Sequence, residues 1–230
     1  MDKEIPSVPF TITLSPLFKE ACPDFAGAAV YATVTNTPYN DGLWAEIGVF
    51  GEWLTSTTSL DDIKLQPAIA ATRQAYKRCG KDPGRYRPSA EALRRRMARG
   101  IPLYQIDTLV DLVNLVSLRT GYSIGGFDAD LIAGSQLELG IGRAGEAFEA
   151  IGRGSLNIEG LPVYRDAIGG IGTPTSDHER TKMSLDTTHI LAIINGYGGA
   201  HGLGEAAEEL RSLLRRYAAS NGDAVMLFFQ

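Results

Sequence analysis

Hydrophobic positions along this chain recur with two periods, and those periods divide it into strands and helices. Phe10 to Leu14 (FTITL) alternates apolar and polar and predicts a short strand ended by Ser15-Pro16, with one helical turn expected over residues 17–21. Ala28 to Val34 is apolar nearly throughout, as in a strand covered on both faces. Residues 35–42 (TNTPYNDG) are turn chemistry, the apolar run from Trp44 to Trp53 is broken by glycines, and residues 55–62 read as a polar loop. Leu65 to Cys79 carries Ala68, Ile69, Thr72, Ala75 and Tyr76 at three- and four-residue spacing and predicts a helix stopped by Gly80. After the connector KDPGRYRP, Ser89 is expected to cap a helix with a thin apolar stripe of Ala90, Leu93 and Met97, ended by Gly100.

The next helix is expected to be capped by Thr108 with Asp111 three residues on. Leu109, Val110, Leu112, Val113, Leu115, Val116 and Leu118 leave it almost no wet face, so it should be buried nearly all round. Asp111, Asn114 and Ser117 fall on one side of it, either as internal hydrogen-bonding groups or as a polar stripe supporting a pocket. Residues 122–130 (YSIGGFDAD) read as a turn, 137–142 and 147–151 as strands, and 155–163 as a hairpin with Glu159-Gly160 at its tip. A strand over 187–195, a glycine-rich loop over 196–204, a helix over 205–219 and a buried strand over 224–229 complete the reading. The expected fold is α+β: one domain over residues 1–230, with a mixed, barrel-like β-sheet core flanked by helices.

Composition adds a cytoplasmic expectation. No run of eighteen apolar residues exists, the opening MDKEIPSVPF lacks the apolar stretch of a secretory leader, and the two cysteines form no CxxC. The net charge of −5 conceals an asymmetry. Residues 73–99 hold ten Lys and Arg against only Asp82 and Glu91, while the rest of the chain is acidic. One concentrated basic segment on an acidic protein points to a local anionic partner, or to a solvated helix face. Arg85, Arg87, Arg94, Arg95, Arg96 and Arg99 are its candidate phosphate contacts, with Tyr86 and Tyr104 able to stack bases.

The candidate chemistry is narrow. His178, His189 and His201 show no metal-ligand spacing, so no metal or other cofactor is expected. No nucleophile motif is present, and the 196–204 loop lacks both phosphate-loop and dinucleotide spacing. Asp177, His178 and Glu179 form a polar cluster beside the glycines of residues 168–172, either an exposed polar loop or a site where a Glu or His could position water and glycine N–H groups could hold an oxyanion.

Three ordered stretches then carry a resemblance: Pro88 to Leu93 (PSAEAL), Ile106 to Asn114 (IDTLVDLVN) and Gly125-Gly126-Phe127-Asp128. Together they resemble the B3/B4 domain of the phenylalanyl-tRNA synthetase beta subunit. Stand-alone B3/B4 proteins are more similar still, through the DPGRYRPS entry and the SDHERT stretch at Ser176 to Thr181. In the synthetase that domain hydrolyses tRNA wrongly charged with tyrosine. The resemblance implies tRNA or aminoacyl-tRNA as partner and an aromatic or other small amino-acid moiety in a pocket. It implies trans hydrolysis of mischarged aminoacyl-tRNA or, alternatively, a non-catalytic RNA or amino-acid binding module. It also implies catalytic roles for Glu179 and His178, and a pocket built from Asp111, Asn114, Gly125, Gly126, Gly169 and Gly170. The synthetase turn carries a histidine at the place of Gly125, so that role would move to His178.

Overall fold

A computed structural model describes residues 7–220 and 224–230. Most of the opening decapeptide, residues 1–6, lies outside these. In chain order the elements are β1 (Thr11–Leu14), α1 (Pro16–Ala21), β2 (Ala26–Thr33), α2 (Asp41–Thr57), α3 (Pro67–Arg78), α4 (Ser89–Ala98), α5 (Thr108–Thr120), β3 (Ile124–Asp128) and β4 (Gln136–Ile141). They continue with β5 (Glu149–Ala150), β6 (Gly154–Ser155), β7 (Pro162–Arg165), β8 (Gly170–Gly172), β9 (His189–Gly196), α6 (Leu203–Tyr217) and β10 (Val225–Phe229).

The α+β expectation holds, but the barrel does not. One open sheet has the order β10-β2-β9-β3 and is antiparallel throughout, while a second has the order β1-β4-β7-β8 and is mixed, β1 running parallel to β4. They stack face to face instead of closing on each other. Alternation in β2 shows why. Ala28, Val30 and Ala32 face a helical layer of α2, α5 and α6, and Ala29 faces the second sheet. A strand covered on both faces needs small apolar residues, which is what the near-continuous run in the sequence encodes.

Five local expectations change. The glycine-broken run around Trp44 is the long helix α2, capped by Asn40, whose side chain accepts from the Leu43 N–H at 3.1 Å. Asp107, not Thr108, caps α5, accepting from the Val110 N–H at 2.9 Å, while the Thr108 hydroxyl pairs with Thr37. Ser89 is the first residue of α4, after Pro88. The predicted 155–163 hairpin is absent, since β6 pairs with β5 and β7 with β4 and β8. Strand β10 lies at a sheet edge and is half-exposed, Phe228 reaching 52%. No helix among the described residues is long and apolar enough to cross a membrane.

Candidate functional site

Strand β3 sits at the free edge of the antiparallel sheet, and Gly125-Gly126 lies within it instead of forming a turn. Alternation sends the two glycines to opposite faces. A Cβ at Gly125 would approach the Phe127 ring at 2.7 Å, toward the second sheet, whereas a Cβ at Gly126 would meet the Met183 methyl at 2.8 Å on the helical face. On that helical face opens a cavity of about 410 Å³. Helix α5 contributes Val110, Val113, Asn114 and Ser117, helix α4 contributes Ser89 and Leu93, and the segment after β8 contributes Asp177, Lys182 and Met183. Ile106, Ile124, Gly126 and Ile151 complete a mainly apolar wall.

Asp177 is the chemically distinct member. Backbone bridges tie its segment to Gly172 on one side and Ala150 on the other. Its Oδ2 accepts the Gly126 N–H at 3.1 Å, a donor at the free edge of β3. A sheet edge leaves such groups without a strand partner, and the carboxylate takes that place. Burial raises the Asp177 pKa to about 7, and the Gly126 hydrogen bond only partly offsets it. The carboxyl therefore titrates where a general base works best.

Glycine makes room for this group. A Cβ at Gly172 would lie 2.6 Å from the Phe127 ring and 2.8 Å from Asp177 Oδ1. Gly172→Ala should therefore lower stability by about 1–3 kcal/mol through overpacking. Gly126→Ala should cost less, because only the mobile end of Met183 must move. Equal melting temperatures for the two variants would contradict this account of the packing.

The polar stripe of α5 divides. The Asp111 carboxylate accepts from Trp44 Nε1 at 2.8 Å and the Ile106 N–H at 3.3 Å, outside the cavity, and burial raises its pKa to about 6. The Ser117 hydroxyl donates to the Tyr122 carbonyl at 2.7 Å. Only Asn114 faces the cavity with no side-chain partner among the described residues. An amide in that position can donate to and accept from a ligand.

Glu179 and His178, the pair the sequence favours for catalysis, do not line the cavity. Glu179 accepts from Lys182 Nζ at 2.6 Å and the Gly152 N–H at 3.1 Å, so it positions the lysine at the cavity mouth. Those two contacts hold its pKa below the usual carboxylate range. His178 packs edge-on against Phe148 and its Nδ1 accepts the Arg180 N–H at 3.0 Å. Burial, followed by the Arg180 charge, depresses its pKa. Arg180 in turn grips Asp166 with two hydrogen bonds of 2.8 and 2.9 Å. Asp166 also accepts the Ile168 and Gly169 N–H groups, so Gly169 belongs to this turn; Gly170 packs on Phe148. Neither glycine reaches the cavity, nor does Gly125.

The basic segment also divides. Arg94 is buried and points inward, donating from Nε to the Leu118 carbonyl at 2.8 Å and from Nη2 to the Arg119 carbonyl at 2.9 Å. Those carbonyls end α5 and have no intrahelical partner, so Arg94 serves the fold and offers no phosphate contact. Glu91, 1% exposed, is ringed by Arg73 at 2.8 Å, Arg95 at 2.9 Å and Arg87 at 3.6 Å. Arg96 donates to the Pro102 carbonyl at 2.7 Å and stacks on Tyr104 at 3.9 Å. Lys81 is buried, its ammonium donating to the carbonyls of Asn157 and Glu159. Lys77, Arg78, Arg85, Arg87 and Arg99 remain exposed.

The sequence pattern of the B3/4 domain family matches residues 71–209, which include every residue lining the cavity. No curated protein matches the sequence. Among solved structures the chain is similar to an N-terminal fragment of the phenylalanyl-tRNA synthetase beta-subunit from Pyrococcus horikoshii, at 14% identity and a TM-score of 0.50. The alignment covers 98% of this chain and 52% of that one, so the chain spans about half the length of the fragment. At that identity the likeness is one of fold.

Proposed function

The chain belongs to the B3/4 domain family, and from that premise we propose that its cavity receives the aminoacyl end of a mischarged tRNA and hydrolyses the ester in trans. The observation carrying this reading is Asp177, a carboxyl with a pKa of about 7 in a mainly apolar pocket. Ester hydrolysis requires an activated water and a donor for the developing oxyanion, not a protein nucleophile. Asp177 takes the proton from water, and Asn114 donates from its amide to the carbonyl oxygen or binds the amino group of the substrate. Leu93, Val110, Val113 and Met183 enclose the amino-acid side chain. Resemblance to the synthetase places a histidine where this chain has Gly125. In this chain the Asp177 Oδ1 lies 3.5 Å from a Cβ built at Gly125, on the face of β3 turned away from the cavity, so Asp177 acts from a different position.

The test is release of free amino acid from a panel of tRNAs mischarged with tyrosine, alanine and other residues. Release above background for at least one is expected. No release from any, with tRNA still bound, would leave only the binding-module reading.

Binding itself should depend on salt through the exposed cations. Changing Lys77, Arg78, Arg85, Arg87 or Arg99 to Ala should each lower the slope of log affinity against log salt by about one where the group meets a phosphate. Arg94 makes no such contact, so a folded Arg94 variant should keep the slope. A slope unaffected by all five exposed changes would remove this surface from the binding site.

A further inference from the structure

Of the described residues that line the cavity, Asp177 carries the only carboxyl and Lys182 the only cationic side chain. The two are placed differently. The Asp177 carboxyl is held against the edge of β3 by the Gly126 N–H, whereas 51% of the Lys182 side chain is open to solvent. Lys182 therefore stands where the cavity meets solvent.

Its ammonium is aimed but not used up. Nζ donates to Glu179 Oε2 at 2.6 Å, and Glu179 Oε1 accepts the Gly152 N–H at 3.1 Å, so the carboxylate is itself fixed. An ammonium carries three donors. Glu179 takes one, and no other acceptor for Nζ is present among the described residues. The neighbouring cation Arg180 is committed elsewhere, because Asp166 accepts from both of its terminal nitrogens.

We propose that Lys182 binds the 5′-phosphate of the nucleotide that carries the aminoacyl ester, and that Glu179 competes with that phosphate for the ammonium.

The assignment rests on the aminoacyl-end reading of the cavity, and the choice of group follows from charge. With the acyl group inside, the sugar that bears it lies at the mouth. The ester and the sugar hydroxyls are neutral, and the amino group of the substrate is a cation. The anion that the same nucleotide presents is its phosphate. A lysine meets a phosphate as a point charge and needs no paired geometry. Glu179 holds Lys182 at the mouth in the free protein, but it also sets a negative charge beside the incoming one. The two roles open to Glu179 have opposite signatures. If it were catalytic, removing its charge would lower the rate, whereas competition for Lys182 means that removing its charge tightens binding.

The probes are 3′-aminoacylamino-3′-deoxyadenosines carrying tyrosine, phenylalanine, leucine or alanine, each made with and without a 5′-phosphate. An amide replaces the ester in them, so binding to the full chain is read by calorimetry without turnover. In the wild type the phosphate should strengthen binding by about three- to tenfold. Lys182→Met keeps a stem in the cavity wall and should abolish that gain, and Lys182→Arg should restore part of it. Glu179→Gln keeps an oxygen for the Gly152 N–H and should enlarge the gain by about two- to fivefold. Analogues that bind with no gain from the phosphate, or a gain that survives Lys182→Met, would overturn the proposal and leave the aminoacyl-end reading standing. A gain that shrinks in Glu179→Gln would overturn the competition. No binding of any analogue would overturn the proposal and that reading together.

Discussion

Asp177→Asn should lower single-turnover ester hydrolysis by about 10²- to 10⁴-fold, the usual contribution of a positioned general base. The substitution keeps an oxygen for the Gly126 N–H and removes only the titrating group. Its effect on stability should run the other way. Burial places the folded pKa of Asp177 at about 7, above the unfolded value of 3.8. A raised folded pKa means that the folded state binds the proton more tightly. The stabilising contribution is present in full below about pH 4 and is lost as pH rises through about 7. At neutral and alkaline pH the wild type carries a desolvated charge that the Asn variant lacks. Asp177→Asn should therefore match or exceed the wild type in melting temperature there, and lose part of the decline in stability between acid and neutral pH. The remainder of that decline belongs to Asp111, raised to about 6 by burial. A variant that loses activity together with its fold would show that Asp177 is structural.

Glu91→Ala should destabilise the protein by about 3–5 kcal/mol, because removing one member of a buried ionic cluster strands the others. Arg73 and Arg95 approach the carboxylate at 2.8 and 2.9 Å and would be left facing each other. In a chain of this size the loss corresponds to roughly 10 °C in melting temperature. Glu91 also stands in the first turn of α4, two residues from Ser89 and two from Leu93 in the cavity wall. Any variant that folds should therefore bind the aminoacyl group less well. A change of under about 1 kcal/mol would show that the arginines reach solvent without strain and that the cluster contributes little.

Both predictions concern groups that the sequence displayed without their roles. Helix α5 and strands β2 and β9 were legible because their burial is nearly complete, and continuous apolar runs encode that directly. Helix α2 was hidden because Gly48 and Gly51 interrupt the pattern, though they sit inside a regular helix. Gly125-Gly126 looked like a turn, but the glycines serve close packing against Phe127 and Met183 instead of chain reversal. The arginines of α4 looked uniformly exposed. Counting charges cannot reveal that the carbonyls ending α5 need a donor from Arg94, since that need arises only when the helices meet.

The acid–base cluster shows the same limit at finer scale. Asp177, His178 and Glu179 are consecutive, and extended backbone sends alternate side chains to opposite sides. The alternation says that Asp177 and His178 diverge, but only the docking of the segment onto β3 and β8 decides which one enters the cavity. Helical spacing grouped Asn114 with Asp111 and Ser117 on one side of α5, and only the packing of that helix separates Asn114, which faces the cavity, from Asp111, which bonds Trp44 and Ile106.

The most direct test of the account is single-turnover release of amino acid from mischarged tRNA, followed from about pH 5 to about pH 9 with wild type and Asp177→Asn side by side. The wild-type rate should rise through a single ionisation near pH 7, set by the Asp177 pKa of about 7, and the variant should stay near background throughout. A wild-type rate that does not follow this ionisation, or a variant that retains the wild-type profile, would contradict it.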